Sequence, residues 1–200
     1  MLRVSLALLA IVCLASASAV ADTSKAQSTA AAVRDGSCQS CHGVLGDSSD
    51  PSVPRLNGQS AAYLYDRLHS LRYPISESPR AIHNMGAIAP ELATQTIAAL
   101  ANYYAGQAPT RPHPVGPAAA EGERIYKFGA GKDIPACQSC HGAAGEGGGK
   151  APRLAGQHAK YLDLQLQAFA MAARISDPMN HHIWVMTPDQ MHAVAAFLGG

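Results

Sequence analysis

Apolar residues recur at helical spacing in several segments of the chain, and polar, glycine-rich and proline-rich stretches separate these segments. Leu64, Leu68 and Leu71 fall on one face of a helix predicted over residues 60–72, and the same spacing predicts a helix over residues 159–172. Shorter amphipathic patterns predict further helices over residues 24–34, 94–104, 118–128 and 187–198. No segment has the pattern of a β-strand, so the predicted fold class is all-α.

The first residues have the pattern of an export signal. Arg3 precedes an apolar run over residues 4–14, and the small residues Ala19 and Ala21 follow it. This order predicts a signal peptide over residues 1–21, cleaved after Ala21. The run is shorter than the roughly 20 apolar residues of a transmembrane helix, so we expect a periplasmic protein that is not integral to the membrane after cleavage. Retention of the segment as a membrane anchor is the alternative.

The charge of the chain excludes two classes of partner. The full chain has 15 basic and 14 acidic residues, and loss of the predicted signal peptide removes one basic residue. The remaining chain is formally neutral, without the excess of Lys and Arg that nucleic-acid binding or a polybasic membrane patch needs. Three Phe, seven Tyr and one Trp are few for two independent cores, which suggests that a non-protein group fills part of the interior.

The chain contains an internal duplication. The hexapeptide CQSCHG occurs at residues 38–43 and again at 137–142, and PRLNGQSAAYL at 54–64 matches PRLAGQHAKYL at 152–162. In both copies a helix with Tyr and Leu, an Arg-x4-Met segment and a closing helix follow in the same order. The repetition predicts two homologous domains in tandem.

A segment with four prolines separates the two repeats and sets the predicted domain boundaries. A linker over residues 107–117 joins a first domain at 22–106 to a second domain at 118–200. Because proline fixes φ and removes a hydrogen-bond donor, we expect the linker to be extended and semi-rigid.

The four cysteines outside the predicted signal peptide all lie in the repeated hexapeptide, and a histidine follows each pair. These residues are Cys38, Cys41 and His42 in the first copy and Cys137, Cys140 and His141 in the second. Four uses compete: a redox-active disulfide, ordinary structural disulfides, a zinc site that pools ligands, and covalent haem attachment. Ordinary disulfides leave the histidines unexplained, and a redox motif normally belongs to a βαβ domain. Two copies of this pattern in an exported chain favour haem attachment.

We predict two haem c groups, each attached by two thioether bonds and ligated by the adjacent histidine. The sixth ligands are predicted to be Met85 and Met179, because both occupy the same place in the repeat, in a loop before the closing helix. A thioether ligand raises the reduction potential relative to a second imidazole, which fits an electron carrier with oxidising partners. Ligation by His83, His181 or His182 is the alternative.

These features resemble the class I cytochromes c, and their tandem arrangement resembles the dihaem cytochrome c4 family. The resemblance rests on both CQSCHG copies, the PRLNGQ and PRLAGQ segments, the helix after each, the aligned methionines and the closing helices. It implies two tandem class I cytochrome c domains, each a few helices wrapped around a covalently bound haem with His/Met axial iron. It also implies that an N-terminal helix with Gly122 and Tyr126 crosses the closing helix near Phe197.

The resemblance further implies a role for the PRLxGQ segments. The backbone carbonyls of Pro54 and Pro152 are expected to accept a hydrogen bond from the ring N–H of the iron-ligating histidine in their own domain. Arg55 and Arg153 follow these prolines. Each guanidinium is expected either to pair with a haem propionate or to lie on the surface.

The expected function is electron transfer rather than catalysis, since both axial positions of each iron are filled and no nucleophile–base pair stands out. The predicted partners are redox proteins: a quinol-oxidising complex or a dehydrogenase as donor and, by resemblance, a terminal oxidase as acceptor. One alternative is a dihaem subunit that accepts electrons within an exported dehydrogenase complex oxidising sulfide or an alcohol. Another is a haem enzyme with an open iron site.

Overall fold

A computed structural model of the chain describes residues 34–73 and 85–200, together with Ser24 and Ala31. The predicted signal peptide, most of the helix predicted over residues 24–34, and His83 lie outside the described residues. Within the described ranges the regular structure consists of helices, with isolated β-bridges and no strand. The predicted all-α fold class is therefore confirmed.

The first half of the molecule, described over residues 34–73 and 85–105, contains helices separated by irregular segments. In chain order they are a turn of π-helix (Arg34–Cys38), α1 (Gln39–His42), α2 (Ala61–Ser70), α3 (Met85–Ile88) with a following 3-10 turn (Ala89–Glu91), and α4 (Thr94–Ala105). The side chain of Ser60 caps α2 by accepting a hydrogen bond from the Tyr63 backbone N–H. Helix α2 packs against α4.

The second half, residues 119–200, repeats this plan. Its helices are α5 (Ala119–Phe128), α6 (Gln138–His141), α7 (Ala159–Ala170), α8 (Asp177–Ile183) and α9 (Pro188–Leu198). Thr187 caps α9 through a capping box with Gln190, and Pro188 occupies the first turn. Helix α9 packs against both α5 and α7.

Two boundaries and two loops differ from the sequence prediction. Helix α2 ends at Ser70 and α7 at Ala170, two residues before the predicted ends. After α7 the backbone of Ala172 adopts a left-handed φ of 51°, which prevents the helix from continuing. No glycine or proline at this position signals the helix end in the sequence. Met85 and Met179 lie in the short helices α3 and α8 rather than in loops. In α8, Asp177 and Pro178 favour a helical first turn.

Each half has its own hydrophobic core. In the first half the buried cluster is small and centres on α4, with Leu92, Ile97, Leu100 and Tyr104. In the second half a larger cluster joins α5, α7 and α9. The predicted crossing of α5 over α9 is confirmed: a side chain at Gly122 would overlap the Ala193 carbonyl, and the rings of Tyr126 and Phe197 lie 5.6 Å apart.

The segment between α4 and α5 runs past the glycines of both PRLxGQ segments. A side chain at Gly58 would overlap Pro109, and one at Gly156 would overlap the backbone of Thr110. Both glycines also have a left-handed φ, 66° and 76°, so a larger residue would be strained there as well as crowded. The His113 backbone N–H then donates to the Gly199 carbonyl, which holds the linker against the end of α9.

Candidate haem sites

Helices α1 and α6 give the two CQSCHG copies the same geometry. In a helix, residues three and four positions apart share one face, so the first cysteine, the second cysteine and the histidine project to the same side. The imidazoles of His42 and His141 are buried, with 8% and 7% of each residue exposed. In each copy the first cysteine is half-buried and the second is exposed, and none of these four cysteines forms a disulfide. The disulfide interpretations therefore find no support in this geometry.

Each buried histidine is held by a proline carbonyl, as the resemblance predicts. Nδ1 of His42 lies 2.9 Å from the carbonyl oxygen of Pro54, and Nδ1 of His141 lies 3.0 Å from that of Pro152. Because a carbonyl can only accept, Nδ1 carries the proton in both rings, and the Nε2 lone pair is left for a metal. The two hydrogen bonds that the resemblance implies, from each histidine ring to a proline carbonyl, are therefore confirmed.

Burial sets the protonation of these groups. It lowers the pKa of His42 and of His141, and the hydrogen bond to the proline carbonyl opposes this shift only in part. Both rings are therefore neutral at physiological pH, which is the form that ligates iron. Burial raises the pKa of the Cys38 and Cys137 thiols, the opposite of the shift that a redox-active thiolate needs.

The two predicted methionine ligands occupy corresponding places. Met85 is the first residue of α3, and Met179 lies in the first turn of α8; both are half-buried. Met179 packs against the core of the second half. Of the alternative ligands in this half, His181 is exposed and His182 is half-buried, and their rings contact each other.

The residues around each CQSCHG copy fit a haem. The donor set is two thiols and one neutral imidazole on a single helical face, which is the set that thioether attachment and iron ligation need. Leu64 and Leu68 of α2 pack against the same core as Cys38, so the apolar face of this helix lies on the side of the first attachment site. Nε of Arg153 is buried without a hydrogen-bond partner, as expected of a donor to a propionate. A pooled zinc site is not favoured, because the described residues contain no cluster of three or more metal-binding side chains.

The two arginines after the prolines differ. Nη1 of Arg55 donates to the carbonyl oxygens of Gly156 and Gly200, both at 2.7 Å. Arg55 therefore joins the two halves, a role that neither of the sequence-based interpretations included. Arg153 is half-buried and keeps the propionate interpretation open for the second half.

The sequence interpretation missed two functional residues, Gln59 and Gln157, the glutamines that end the two PRLxGQ segments. Both are 7% exposed and lie between the halves. The side-chain amide of Gln157 bonds both backbone groups of Arg55, and that of Gln59 bonds both backbone groups of Arg153. Their identity in both copies was the available signal, but a single sequence does not indicate that a repeated residue contacts the other repeat.

Comparison with known proteins agrees with this geometry. A family model described as cytochrome c matches residues 119–200. Cytochrome c4 of Thiocapsa roseopersicina is 36% identical over 174 residues, which cover 83% of this chain and 88% of that protein. A thiosulfate dehydrogenase electron acceptor of Thiomonas intermedia is 39% identical over 172 residues, which cover 81% of this chain and 77% of that protein. The solved structure of Acidithiobacillus ferrooxidans cytochrome c4 matches with a TM-score of 0.76 and 36% identity, over 80% of this chain and 96% of that one.

The duplicated helical fold, the two CQSCHG sites and these matches define a dihaem electron-transfer cytochrome built from class I domains, with two covalently bound haem c groups. Within this class, the chain belongs to the cytochrome c4 family. Its cytochrome c4 relatives are electron carriers. In the two described ranges, 34–73 and 85–200, no helix is long and apolar enough to cross a membrane.

Proposed function

We propose that the chain is a periplasmic electron carrier that holds its two haems through corresponding residues. In the first half these are Cys38, Cys41, His42 and Met85, and in the second half Cys137, Cys140, His141 and Met179. The observation that carries the proposal is the neutral, buried imidazole held at Nδ1 by a proline carbonyl, which occurs in both halves with nearly the same distance. A repeated ligand geometry is expected of two sites that perform the same one-electron chemistry.

The haem iron, when bound, supplies a one-electron Fe(III)/Fe(II) couple. The protein keeps each proximal ring neutral by burial and fixes its orientation through the proline carbonyl. Met85 and Met179 complete the ligand set, so neither iron keeps a position for substrate, and the protein acts as a carrier rather than an enzyme. The apolar face of α2 and the cores of both halves exclude water from the ligands.

The proposal includes where the carrier works and how the chain is divided. Residues 1–21 form a signal peptide that directs export to the periplasm, residues 22–106 and 118–200 form the two cytochrome domains, and residues 107–117 form the linker. A quinol-oxidising complex or a dehydrogenase donates electrons in the respiratory chain, and a terminal oxidase accepts them.

Carbon monoxide binding to the reduced protein tests the carrier assignment. Both irons are six-coordinate in this proposal, so the reduced spectrum should not change when CO is added at neutral pH. The variant Met179→Ala is the positive control, because it opens one of the two irons and should bind one CO per molecule. Stoichiometric CO binding by the unmodified protein would contradict the proposal and favour a haem enzyme with an open site.

One finding favours a second candidate, a subunit that accepts electrons inside a dehydrogenase complex. The relative from Thiomonas intermedia carries the name thiosulfate dehydrogenase electron acceptor and is similar over most of both chains. The two functions differ in what the protein binds in the cell. Affinity purification from the native periplasm would yield the isolated cytochrome if it is a free carrier, and a stoichiometric catalytic subunit if it belongs to a dehydrogenase.

A further inference from the structure

The two halves meet through a reciprocal pair of glutamine amides. The Arg55 backbone N–H donates to Oε1 of Gln157 at 2.9 Å, and Nε2 of Gln157 donates to the Arg55 carbonyl at 2.9 Å. In the opposite direction, the Arg153 backbone N–H donates to Oε1 of Gln59 at 2.7 Å, and Nε2 of Gln59 donates to the Arg153 carbonyl at 2.9 Å. Each half therefore uses its glutamine to bind both backbone groups of one arginine in the other half.

The orientation of each amide is fixed by its surroundings. Oε1 of Gln157 also accepts the His158 backbone N–H, and Oε1 of Gln59 also accepts the Ser60 backbone N–H, both at 3.0 Å. A flipped amide would point its NH₂ group at two N–H donors, so only one assignment satisfies the network. Buried amides with all these bonds made have little freedom to move.

The amides act on the peptide groups that hold the iron-ligating histidines. The carbonyl of Pro54, which accepts from His42, and the N–H of Arg55, which Gln157 binds, belong to one planar peptide group. The Pro152–Arg153 peptide joins His141 to Gln59 in the same way. When the N–H of a peptide group donates a hydrogen bond, the carbonyl of the same peptide group becomes more polarised. That carbonyl is then a stronger hydrogen-bond acceptor.

We infer that Gln59 and Gln157 are positioning residues that tune the reduction potential of the haem in the opposite half. A stronger carbonyl acceptor makes the histidine a more basic ligand, and a more basic ligand stabilises the oxidised iron. Gln157 therefore lowers the potential of the first haem, and Gln59 lowers that of the second. The inference rests on the proposed function, since it needs His42 and His141 as iron ligands.

A pair of matched variants tests this crossed arrangement. Gln157→Met and Gln59→Met keep side-chain length and remove both amide hydrogen bonds. The potential of each haem is followed in a redox titration by NMR, with haem methyl signals assigned to each half through contacts with the thioether cysteines. Gln157→Met should raise the potential of the first haem, and Gln59→Met should raise that of the second, while the other haem in each variant changes little.

Two controls separate this effect from general loosening of the interface. Tyr63→Phe removes a direct hydrogen bond between the halves, from Arg174 Nη2 to Tyr63 Oη at 3.0 Å, without touching either proline–arginine peptide. It should leave both potentials near their original values. Gln157→Glu keeps an acceptor for the Arg55 N–H, so the first haem should have a lower potential in this variant than in Gln157→Met. If Gln157→Met does not fold, the potential of the first haem can still be compared between Gln157→Glu and the unmodified protein.

The possible outcomes are distinct. A shift confined to the haem of the mutated half, equal shifts of both haems, or no shift in either would overturn the inference. Counting haems in the unmodified protein comes first and tests the proposed function separately. If the protein holds two haems but the glutamine variants do not shift the potential of the haem in the opposite half, the inference alone is contradicted. A protein without haem would contradict the proposed function.

Discussion

At the scale of single residues, the properties of His42 and His141 follow from burial and one hydrogen bond each. Burial lowers the pKa of both rings, and the proline carbonyl places the remaining proton on Nδ1. These two effects produce a neutral ring with Nε2 available, before any cofactor is considered. The same pair of effects occurs in both halves, so the two irons are expected to have the same proximal environment.

The methionine ligands are tested by single substitutions. In Met85→Ala or Met179→Ala, one of the two irons should lose its thioether ligand, become high spin and fall in reduction potential, because sulfur ligation favours the reduced iron. Visible and EPR spectra should show that one of the two haems per molecule has become high spin while the other stays low spin. Met171→Ala is the control, since Met171 is 70% exposed and should leave both haems low spin. An unchanged low-spin spectrum in Met179→Ala would transfer the ligand role to His181 or His182.

A buried histidine between the halves makes stability depend on pH. Nε2 of His158 donates to the Ser48 carbonyl at 2.8 Å, and burial lowers the pKa of His158. The Ser48 carbonyl and Asp50 oppose this shift, whereas Arg55 adds to it. Because the folded protein binds this proton less readily than the unfolded chain, the stabilisation is complete above the usual histidine pKa of about 6.5. It is lost as the pH falls through that value towards the pKa of the folded state.

Thermal unfolding at several pH values checks this effect. The melting temperature of the unmodified protein should fall between about pH 7.5 and pH 5, and the fall should be smaller in His158→Gln, which keeps a donor for Ser48 but does not titrate. His113→Gln is the control, because His113 is exposed in the linker. Equal pH dependence in all three proteins would show that His158 does not contribute.

The sequence identified some of these residues and missed others for a physical reason. Cysteines and histidines at fixed spacing act within one local segment, so their roles can be predicted from the chain, and the role of the prolines follows from the resemblance. Gln157 and Arg55 act across a contact between segments 102 residues apart, which spacing alone does not indicate. Arg55 illustrates this limit, because Nη1 of its guanidinium binds backbone oxygens of the second half, a contact that the spacing does not indicate.

At the scale of elements, helices with strong start signals were predicted closely. Helix α9 begins as expected because Thr187 and Gln190 form a capping box and Pro188 follows. The end of α7 was predicted two residues too late, since the left-handed backbone of Ala172 has no local signal. The sequence predicts loops at Met85 and Met179 because α3 and α8 are too short to show a helical apolar period.

The crossing of α5 and α9 is the element contact that a single substitution tests best. Gly122→Ala should destabilise the protein by about 1–3 kcal/mol, the usual cost of overpacking, because the new methyl group would overlap the Ala193 carbonyl. Chemical denaturation measures this loss. In Gly148→Ala the added methyl group meets no atom within 4 Å, so this variant should change stability little. If Gly122→Ala were as stable as the original protein, the close approach of the two helices would be wrong.

At the scale of the whole molecule, two homologous halves form one interface through residues that their repeats share. The PRLxGQ segments carry the proline that holds a histidine, the glycine that the linker passes, and the glutamine that reaches the other half. The duplication can be recognised in the sequence itself. The contact between the two PRLxGQ segments cannot be predicted in this way, because nothing within one copy indicates that it binds the other.

The central claim is that each half carries one haem through its own pair of cysteines. The mass of the purified protein, after expression in a host able to mature c-type cytochromes, tests this claim most directly. Measured under denaturing conditions, it should exceed that of the polypeptide by two haems, with one haem on each proteolytic peptide containing residues 38–42 or 137–141. A mass equal to the bare polypeptide, or reduced by the hydrogens of two disulfides, would contradict the account.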